Sequence, residues 1–378
     1  MFGGGNDRAV LAFLRALYAC GQRASIVART ADDRVLRTRY RDEVKCVREH
    51  DTLTLLVFAD CIQRVRRSVG QRTLVVLPST EYFNEFLLQN REAIEQMGCE
   101  IPLVDSTVYG LLTGKRTATD YFAANGFAVP KEHDVAAVME LPVVAKPLHN
   151  VAADGRSLYP QIIATREQLD AFRAREKGND HFFQEYVHGD SVYLLFYLPR
   201  GRLGAEIKWS QRNLLQQPAG KSMLFAEAAD FHCTATAENM IALLRETGFW
   251  GLGMIEVIRT PGGHATFIEM NPRIWGPIQF CLDQHQPLLQ AFIGDALYGD
   301  ASRYLEKKWP NRWRKRYCWL GGFAETLVSG ETPTRHPGMR STVAFVGASF
   351  LDDIYLRSDS WRCFFYDVGK SIGKGRRS

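Results

Sequence analysis

The chain has 378 residues, 46% of them hydrophobic and 24% charged, which is typical of a globular protein with two or three domains and excludes a largely disordered chain. The net charge of +5 is too small to indicate nucleic-acid binding. The eight cysteines form no C-x-x-C pair, so we expect a reducing, cytoplasmic environment and neither a zinc site nor a disulfide framework. No apolar run approaches the roughly 20 residues that span a bilayer, so we expect no transmembrane segment.

The first third of the chain alternates apolar strands with amphipathic helical stretches, which predicts a parallel α/β domain over residues 1–112. The predicted strands are "ASIVA", "TLTLLVFA" and "TLVVLP", and the predicted helices are "DRAVLAFLRALYACG" and "YFNEFLLQNREAIEQMG". A first strand is nearly missing, because the chain begins with the turn-forming "MFGGGN". This turn does not match the dinucleotide fingerprint G-x-G-x-x-G, since Arg8 stands in the place of the third glycine.

A second domain is predicted over residues 113–300, with a small lid subdomain at about 135–190. A helix starts near Lys115, and Lys146 ends a strand that is followed by a polar, glycine-containing loop at 149–156. A strand-end lysine can meet phosphate oxygens as a point charge, although solvated lysines are also common at such positions. The loop has no apolar anchors, which favours a lid that closes over a ligand.

Two strand-like stretches near residue 260, "GLGMIEVIRT" and "FIEMNPRIWG", are separated by the turn signal "PGGH". A hairpin turn centred between Gly262 and Gly263 pairs Glu256 with Glu269. Facing Cβ atoms on such a pair are about 5 Å apart, so two like charges destabilise it. Either one carboxyl is protonated or a divalent cation lies between the two, and hard oxygen ligands suit magnesium.

The alternation of side chains along the second of these strands adds neighbours to the two carboxylates. Glu269, Asn271 and Arg273 are two residues apart and project to one face while the chain stays extended. An amide oxygen and a guanidinium group are therefore expected beside the carboxylates. Pro272 has no backbone donor and marks the end of regular pairing.

The order of these features from Lys115 to Arg273 resembles the ATP-grasp superfamily, in particular its carbamoyl-phosphate-synthetase-like carboxylate-amine ligases, over roughly residues 1–300. The segment "IEMNPR" is the most specific part of the match. The resemblance implies an α/β ATP-grasp fold with an N-terminal parallel α/β (pre-ATP-grasp) domain, ATP and Mg²⁺ (or Mn²⁺) as cofactors, and a homo-oligomer as one possible assembly.

The resemblance also implies roles for individual residues. Lys115 and Lys146 would contact the ATP phosphates, and the hinge Gln184, Glu185, Tyr186 and Val187 would bind adenine, with Asp190 near the ribose. Magnesium would be held by Glu256, Glu269 and Asn271. Arg273 would contact the transferring phosphoryl group or the substrate carboxylate. The chain departs from the family at Gln184, where an acidic residue is usual, and at Ser191, where a glutamate is frequent.

The implied reaction joins a small-molecule carboxylate to an amine through an acyl phosphate. Arg212 and Lys221 lie in the segment that borders the substrate site in similar ligases, where a guanidinium can hold a carboxylate or phosphate; solvated surface charges are the alternative reading. His149 and His188 are isolated histidines and are not counted as catalytic. Two other functions stay open: a small-molecule kinase that stops at phosphoryl transfer, and a nucleotide-binding regulator without turnover.

The last segment, residues 301–378, interleaves basic and aromatic residues in "RYLEKKWPNRWRKRYCWL" and ends in "GKSIGKGRRS". This pattern fits a cap that closes the ligase, a surface for anionic lipid or a phosphorylated carrier, or a nucleic-acid patch. We favour the cap and expect no nucleic-acid partner, because Pro310 interrupts any continuous helix and no recognition motif accompanies the charges.

Overall fold

The computed structural model describes residues 1–50, 52–70, 72–133, 140–148, 158–175, 181–201, 206–220, 222–307, 314–336 and 342–375. Its helices are α1 (Asp7–Ala19), α2 (Leu55–Val69), α3 (Glu81–Gln89), α4 (Arg91–Gln96), α5 (Ser106–Thr113), α6 (Lys115–Ala124), α7 (Arg166–Arg175), α8 (Ala235–Glu246), α9 (Gln279–Asp283), α10 (Leu288–Tyr298), α11 (Leu320–Val328), α12 (Thr342–Ser349) and α13 (Trp361–Gly375). In the described ranges, no helix combines the length and the apolar character needed to cross a bilayer.

The strands are β1 (Ile26–Ala28), β2 (Val44–Val47), β3 (Leu74–Val75), β4 (Cys99–Glu100), β5 (Glu132–His133), β6 (Val143–Pro147), β7 (Gln161–Ile163), β8 (His181–Glu185), β9 (Asp190–Leu198), β10 (Ile207–Gln216), β11 (Met223–Ala229), β12 (Gly251–Arg259), β13 (Ala265–Asn271), β14 (Arg316–Cys318) and β15 (Thr334–Arg335). In the N-terminal part, β1 pairs with β2 and β3 with β4, both in parallel, as the alternation of strands and helices predicts. Before β1, a single parallel bridge joins Phe2 to Val27.

One N-terminal prediction is wrong, because the apolar run "TLTLLVFA" starts helix α2 and is not a strand. The side chain of Thr54 accepts a hydrogen bond from the backbone N–H of Val57 (3.3 Å), which caps the first turn. The apolar pattern then continues with a helical period through the polar second half of the segment, and the buried positions are Phe58, Cys61, Ile62 and Val65. The short β-like run is thus the beginning of a longer amphipathic helix.

Three strands of the region predicted as a lid subdomain, with β5 just before it, form a four-stranded antiparallel sheet in the order β5-β8-β6-β7. Helix α7 packs on it through Leu169 and Phe172, which share a small core with Val143 and Phe183. The predicted strand that ends near Lys146 is β6, and the predicted returning strand is β7.

The largest sheet has seven strands, with β13-β12-β9-β10-β11-β14 in order and β15 paired with β10. Neighbouring positions on β9 enter different cores: Tyr193 and Leu195 pack in the core that contains α1 and α10, whereas Val192 and Leu194 pack in the core that contains α2, α3 and α8. Both faces of this sheet are covered, so a polar side chain on it is buried unless it lies in a cleft.

The C-terminal segment belongs to the main body of the protein. Strand β14 extends the large sheet at β11, and Tyr317, Ile354 and Phe364 are part of the same core as α1. Arg15 on α1 forms a buried bidentate ion pair with Asp359, with Nε to Oδ2 and Nη2 to Oδ1 distances of 2.8 Å each. The segment therefore shares the core of the other regions instead of lying on them as a separate layer.

Candidate functional site

The two glutamates singled out by the sequence face each other across a bulged hairpin. Glu256 on β12 pairs with Glu269 on β13, which confirms the predicted opposition. The register differs near the turn: Arg259 pairs with Ala265, so the turn is centred on Gly262, and a bulge at Ile268 shifts the pairing by one residue before Glu269. The bulge produces the glutamate pair that the sequence pattern attributes to the turn alone.

The bulge also decides which side chains share a face. Phe267 and Met270 enter one core, where Phe267 stacks on Phe122 with ring centroids 3.9 Å apart. Glu269 lies on the other face, beside Asn271, whose amide donates to Glu269 Oε1 (2.7 Å). With strict alternation, Phe267 and Glu269 would project to the same side. The extra residue therefore lets the strand bury an aromatic ring and still present its carboxylate to a cleft.

Asn271 connects the carboxylates to the predicted arginine. Its Oδ1 accepts a hydrogen bond from Arg273 Nη2 at 3.0 Å. The backbone N–H of Arg273 also donates to Asn271 O at 2.9 Å, so the chain turns back directly after β13. Glu269, Asn271 and Arg273 therefore form one hydrogen-bonded row, as the spacing of two residues predicts.

Glu256 is half-buried, and desolvation and the charge of Glu269 raise its pKa from the ordinary 4.5 to about 7. Ser191 on β9 donates to Glu256 Oε1 (2.6 Å) and accepts from the amide of Asn213 on β10 (2.7 Å). Ser191 thus stands on the carboxylate face, where it links Glu256 to the amide of Asn213. The sequence reasoning missed Ser191 and Asn213 as supporting residues; the polar run "SQRN" in strand β10 is a signal that could have indicated Asn213.

Both predicted lysines belong to the same charge cluster. Lys146 is only 9% exposed, and its Nζ donates to the backbone carbonyl of Ile268, the bulge residue, at 3.2 Å. Burial lowers the pKa of Lys146, and the charges of Glu269 and Glu256 oppose that shift. Lys115, the first residue of α6, also has a pKa lowered by burial and opposed by Glu269. Two desolvated ammonium groups thus lie within electrostatic reach of the carboxylates.

The predicted hinge runs from the end of β8 into the link before β9. Gln184 is 1% exposed, and neither atom of its side-chain amide has a hydrogen-bond partner among the described residues. Glu185 accepts from the backbone N–H of Lys131 (3.1 Å), and the ring of Tyr186 lies 4.7 Å from that of His188, while Val187 continues the link. A buried amide without partners is uncommon in proteins and fits a ligand that supplies both a donor and an acceptor.

Two predicted residues are not brought to the carboxylate pair. Arg212 binds Glu227, with a distance of 3.0 Å from Nε to Oε1, and lies 3.5 Å from Asp190. Arg212 and Asp190 line a different cavity, of about 730 Å³, together with Arg259. Arg212 on β10 is the cross-strand partner of Val192 on β9, whose side chain enters the core with α2, α3 and α8. Because side chains alternate along a strand, Arg212 lies on that face and its neighbour Asn213 on the opposite one.

Lys221 and the proposed lid loop at 149–156, including His149, lie outside the described residues. Asp190 is described, and one of its carboxylate oxygens is buried without a hydrogen-bond partner in the described part of the chain.

The cleft in front of the carboxylates has a volume of about 870 Å³. Glu269, Asn271 and Arg273 line one part of it together with Tyr193, whose pKa is raised first by burial and then by Glu256 and Glu269. Residues 2–6 and Arg8 line another part, so the glycine-rich N-terminus faces this cleft. Tyr193 and Arg8 are further site residues that local sequence patterns do not reveal.

The donor set suits a hard divalent cation. Glu256, Glu269 and Asn271 offer carboxylate and amide oxygens, which Mg²⁺ and Mn²⁺ prefer, and a cation would relieve the repulsion that raises the pKa of Glu256. In the described residues, no group of three or more His, Cys, Asp and Glu side chains is arranged to hold a metal ion. A metal held here would have two carboxylates and one amide from the protein, and water or a ligand would complete its shell.

Comparisons with known proteins give structural neighbours only. No family model matches the chain, and no curated protein sequence matches it. The fold is similar to biotin carboxylase from Campylobacter jejuni in complex with an ATP analogue (TM-score 0.56, 14% identity, 78% of this chain and 70% of that chain). It is also similar to the biotin carboxylase domain dimer of 2-oxoglutarate carboxylase from Hydrogenobacter thermophilus in complex with MgADP, ADP and bicarbonate (TM-score 0.55, 17% identity, 79% and 69%). L-amino acid ligase from Bacillus licheniformis is a third neighbour (TM-score 0.54, 15% identity, 79% and 73%).

Proposed function

Because the chain has the ATP-grasp fold, we propose that it is an ATP-dependent carboxylate-amine ligase, which forms an amide through an acyl phosphate and releases ADP and phosphate. The observation that carries this proposal is the cluster on one face of the bulged hairpin. Two opposed carboxylates, an amide and an arginine lie together there, and two lysines lie within electrostatic reach of the carboxylates. Glu269, Asn271 and Arg273 of this cluster line a large cleft.

In this proposal Lys115 and Lys146 bind the phosphates of ATP. Their lowered pKa reflects desolvation without enough negative charge nearby, and a polyphosphate would supply that charge. Glu256, Glu269 and Asn271 would hold Mg²⁺, which neutralises phosphate charge and polarises the phosphoryl group when it is bound. Since the pKa of Glu256 is about 7, this carboxyl gives up its proton when the cation binds.

Residues 184–187 would bind the adenine base. The buried amide of Gln184 offers one donor and one acceptor, which complement the acceptor nitrogen and the exocyclic amine on an adenine edge. An acidic side chain at this position would only accept hydrogen bonds. Asp190 and Arg212 have no role in this proposal, because their mutual contact lies in the other cavity.

The chemistry requires two displacements. An oxygen of the substrate carboxylate attacks the γ-phosphorus, the bond to the β-phosphate oxygen breaks, and ADP leaves with that electron pair. The amine nitrogen then attacks the acyl carbon, the amine loses a proton, and inorganic phosphate leaves. In this proposal Arg273, which donates to Asn271, binds the carboxylate before the first step and the phosphoryl oxygens during it. The cleft must exclude water between the two steps, because acyl phosphates hydrolyse.

The named neighbours support this reading without identifying the substrates. One is an amino acid ligase, and another holds MgADP and bicarbonate in a biotin carboxylase domain dimer, which also makes a homo-oligomer a reasonable assembly for this chain. A kinase would use the same nucleotide site but would transfer the phosphoryl group to a hydroxyl, and a regulator would bind nucleotide without turnover.

The test is incubation of the protein with Mg-ATP, pooled carboxylic acids and hydroxylamine, followed by detection of ADP and hydroxamates. The ligase predicts hydroxamate and ADP release that both depend on the acid. A phosphorylated alcohol would favour the kinase, and nucleotide binding without ADP release would favour the regulator. Lys146→Met, which keeps the buried apolar stem, is expected to lose both products while the protein stays folded.

A further inference from the structure

The cleft extends from the carboxylate pair to the N-terminal turn, and a direct hydrogen bond joins these two regions. The side-chain amide of Asn6 donates to the backbone carbonyl of Ile274, the residue after Arg273, at 2.9 Å, and to the carbonyl of Ser79 at 3.3 Å. The start of α1 is therefore fixed beside the end of the site strand. Residues 2–6 and the first turn of α1 form a wall of the cleft.

Arg8 in this wall is held by neutral groups. Its Nη1 donates to the carbonyl of Met223 (3.1 Å) and to the hydroxyl of Tyr317 (2.8 Å), and its Nη2 donates to Ser222 Oγ (3.1 Å). The guanidinium also lies over the ring of Trp319, 3.8 Å from its centroid. Among the described residues, no carboxylate lies within ion-pair distance of Arg8. Its positive charge is thus fixed in position, partly buried and not neutralised by the fold.

The surroundings of Arg8 leave room for a ligand. Three of its five N–H groups are used by these bonds, so two remain for a further acceptor. The guanidinium also packs against Gly276, where a Cβ atom would lie 2.8 Å from Arg8 Nη2. A side chain at position 276 would displace the guanidinium, so the glycine maintains its place.

Two further arginines, Arg29 and Arg48, line the same end of the cleft, which we call the arginine end (Arg8, Arg29 and Arg48). Gly4 has a φ of +89°, and a Cβ there would lie 2.6 Å from Arg29 Cδ, so the glycine turn gives the stem of Arg29 its path. Together with Arg273, the lining of the cleft contains four arginines and only two carboxylates, Glu81 and Glu269, so the charges of the lining residues sum to a positive value. A divalent cation on Glu269 would leave the cleft still more positive.

We propose that the arginine end binds a second anionic group on the substrate, a carboxylate or a phosphate, so that the ligase acts on acids that carry two anionic groups. This inference rests on the proposed function for its orientation: the reacting carboxylate lies at Arg273, and the second anion lies at Arg8. A guanidinium that is already desolvated and oriented binds an anion with little further cost of ordering. A neutral or purely apolar substrate tail would leave that charge without a partner in the closed cleft.

The first experiment measures binding and does not depend on turnover. Wild-type protein with Mg²⁺ and a non-hydrolysable ATP analogue is titrated with succinate, 3-phosphonopropionate and propionate, which differ in the second anionic group. We expect either dianion to bind roughly 10- to 100-fold more tightly than propionate. The preference between succinate and 3-phosphonopropionate distinguishes carboxylate from phosphate as the second group.

Variants then locate the binding. Arg8→Gln and Arg29→Gln should reduce dianion affinity toward that of propionate and leave the affinity for the ATP analogue unchanged. Arg8→Gln can lower stability, because it removes partly buried hydrogen bonds. Arg29 is exposed, so Arg29→Gln tests the anion site without that loss of stability. Arg67→Gln, a change at an exposed arginine on α2, is the matched control and should bind as wild type.

Equal affinity for propionate and the dianions would overturn the inference, as would dianion affinity that Arg8→Gln and Arg29→Gln do not change. Competition between dianion and the ATP analogue would also overturn it, since the arginines would then bind nucleotide phosphates. Failure of the proposed function is a separate result: hydroxamate assays that give no product with any acid, while dianions still bind at the arginine end, would reject the ligase and keep the anion site.

Discussion

At the scale of single residues, the site depends on a carboxyl group that ordinary solution chemistry would ionise. Glu256 is half-buried and lies opposite Glu269, and desolvation and the charge of Glu269 together raise its pKa to about 7. Ser191 and Lys146 act in the other direction but do not cancel the shift. The spacing around "PGGH" predicts the opposed pair, but the turn is centred on Gly262 and the pair forms only because of the bulge at Ile268. The desolvation that raises the pKa was not predictable, since it comes from strands distant in sequence.

Glu269→Gln tests whether the pair exists to hold a cation. The glutamine keeps an oxygen that can accept from Asn271, but it removes one negative charge, so Mg-ATP-dependent activity should fall by orders of magnitude. Stability without metal should hold or rise, because the repulsion is relieved. Thermal melts with and without Mg-ATP, alongside ATP turnover, measure both effects. Glu246→Gln, at an exposed position of α8, is the control and should change neither.

A Glu269→Gln protein that melts lower without metal but turns over ATP normally would contradict the metal site. That result would mean that the two carboxyls support the hairpin through shared protons or hydrogen bonds.

The raised pKa of Glu256 predicts how stability depends on pH. Between its ordinary value of 4.5 and about 7, the folded state binds more protons at this site than the unfolded state, so the free energy of unfolding falls as pH rises. The slope is up to about 1.4 kcal/mol per pH unit over that window. Urea unfolding of wild type and Glu256→Gln at several pH values isolates the contribution, because the variant lacks this titration. A difference between the two proteins that stays constant from pH 4.5 to 7 would show that folding does not raise the pKa of Glu256.

At the scale of elements, the decisive feature is the bulge in β13. Alternation predicts the row Glu269, Asn271 and Arg273 correctly, but it cannot predict an extra residue that reverses the pattern before Glu269. The carbonyl of that extra residue, Ile268, also accepts the hydrogen bond of Lys146 from the lid sheet. A similar limit applies to α2, where an apolar run was predicted as a strand because its first eight residues do not show the helical period of the whole segment.

Deletion of Ile268 should weaken Mg-ATP binding without separating the two glutamates. Without the extra residue, Glu269 follows Phe267 directly, so alternation still sends Phe267 to the core and Glu269 to the cleft face opposite Glu256. The backbone carbonyl of Ile268, which accepts from Lys146, is lost with the deletion. The stabilisation of the protein by Mg-ATP in thermal melts should therefore decrease, whereas Ile268→Ala keeps the carbonyl of the bulge and should retain it. A deletion variant that Mg-ATP stabilises as much as wild type would show that the bulge does not position Lys146.

At the scale of the whole molecule, the structure differs most from what local patterns indicate. Adjacent residues Arg212 and Asn213 lie on opposite faces of the large sheet: Arg212 lines one cavity, whereas Asn213 is buried and donates to Ser191 on the carboxylate face. The sequence indicates a basic and polar strand there but not which face meets the cleft. Likewise, the aromatic and basic C-terminal segment looks like surface in sequence, yet Tyr317 and Phe364 enter the main core and Arg357 pairs with the distant Asp283. Such contacts depend on the arrangement of the complete chain.

The ion pair between Arg15 and Asp359 allows a direct test of how firmly the C-terminal segment belongs to the body of the protein. Side-chain exposures are 3% for Arg15 and 9% for Asp359, and the pKa of Asp359 is lowered to about 2, with hydrogen bonding and charge from Arg15 overcoming its burial. Asp359→Asn leaves a buried guanidinium without its counter-charge, which should cost about 3–5 kcal/mol of stability. Asp32→Asn breaks the exposed pair with Arg37, where Asp32 is 80% exposed, and should cost at most about 1 kcal/mol. Urea unfolding followed by tryptophan fluorescence measures both variants. If the segment shares the main core, Asp359→Asn lowers the urea concentration at the midpoint of one transition that involves the whole chain. A loosely docked cap would instead unfold in a separate step at lower urea concentration, and the midpoint of the main transition would stay at its wild-type value.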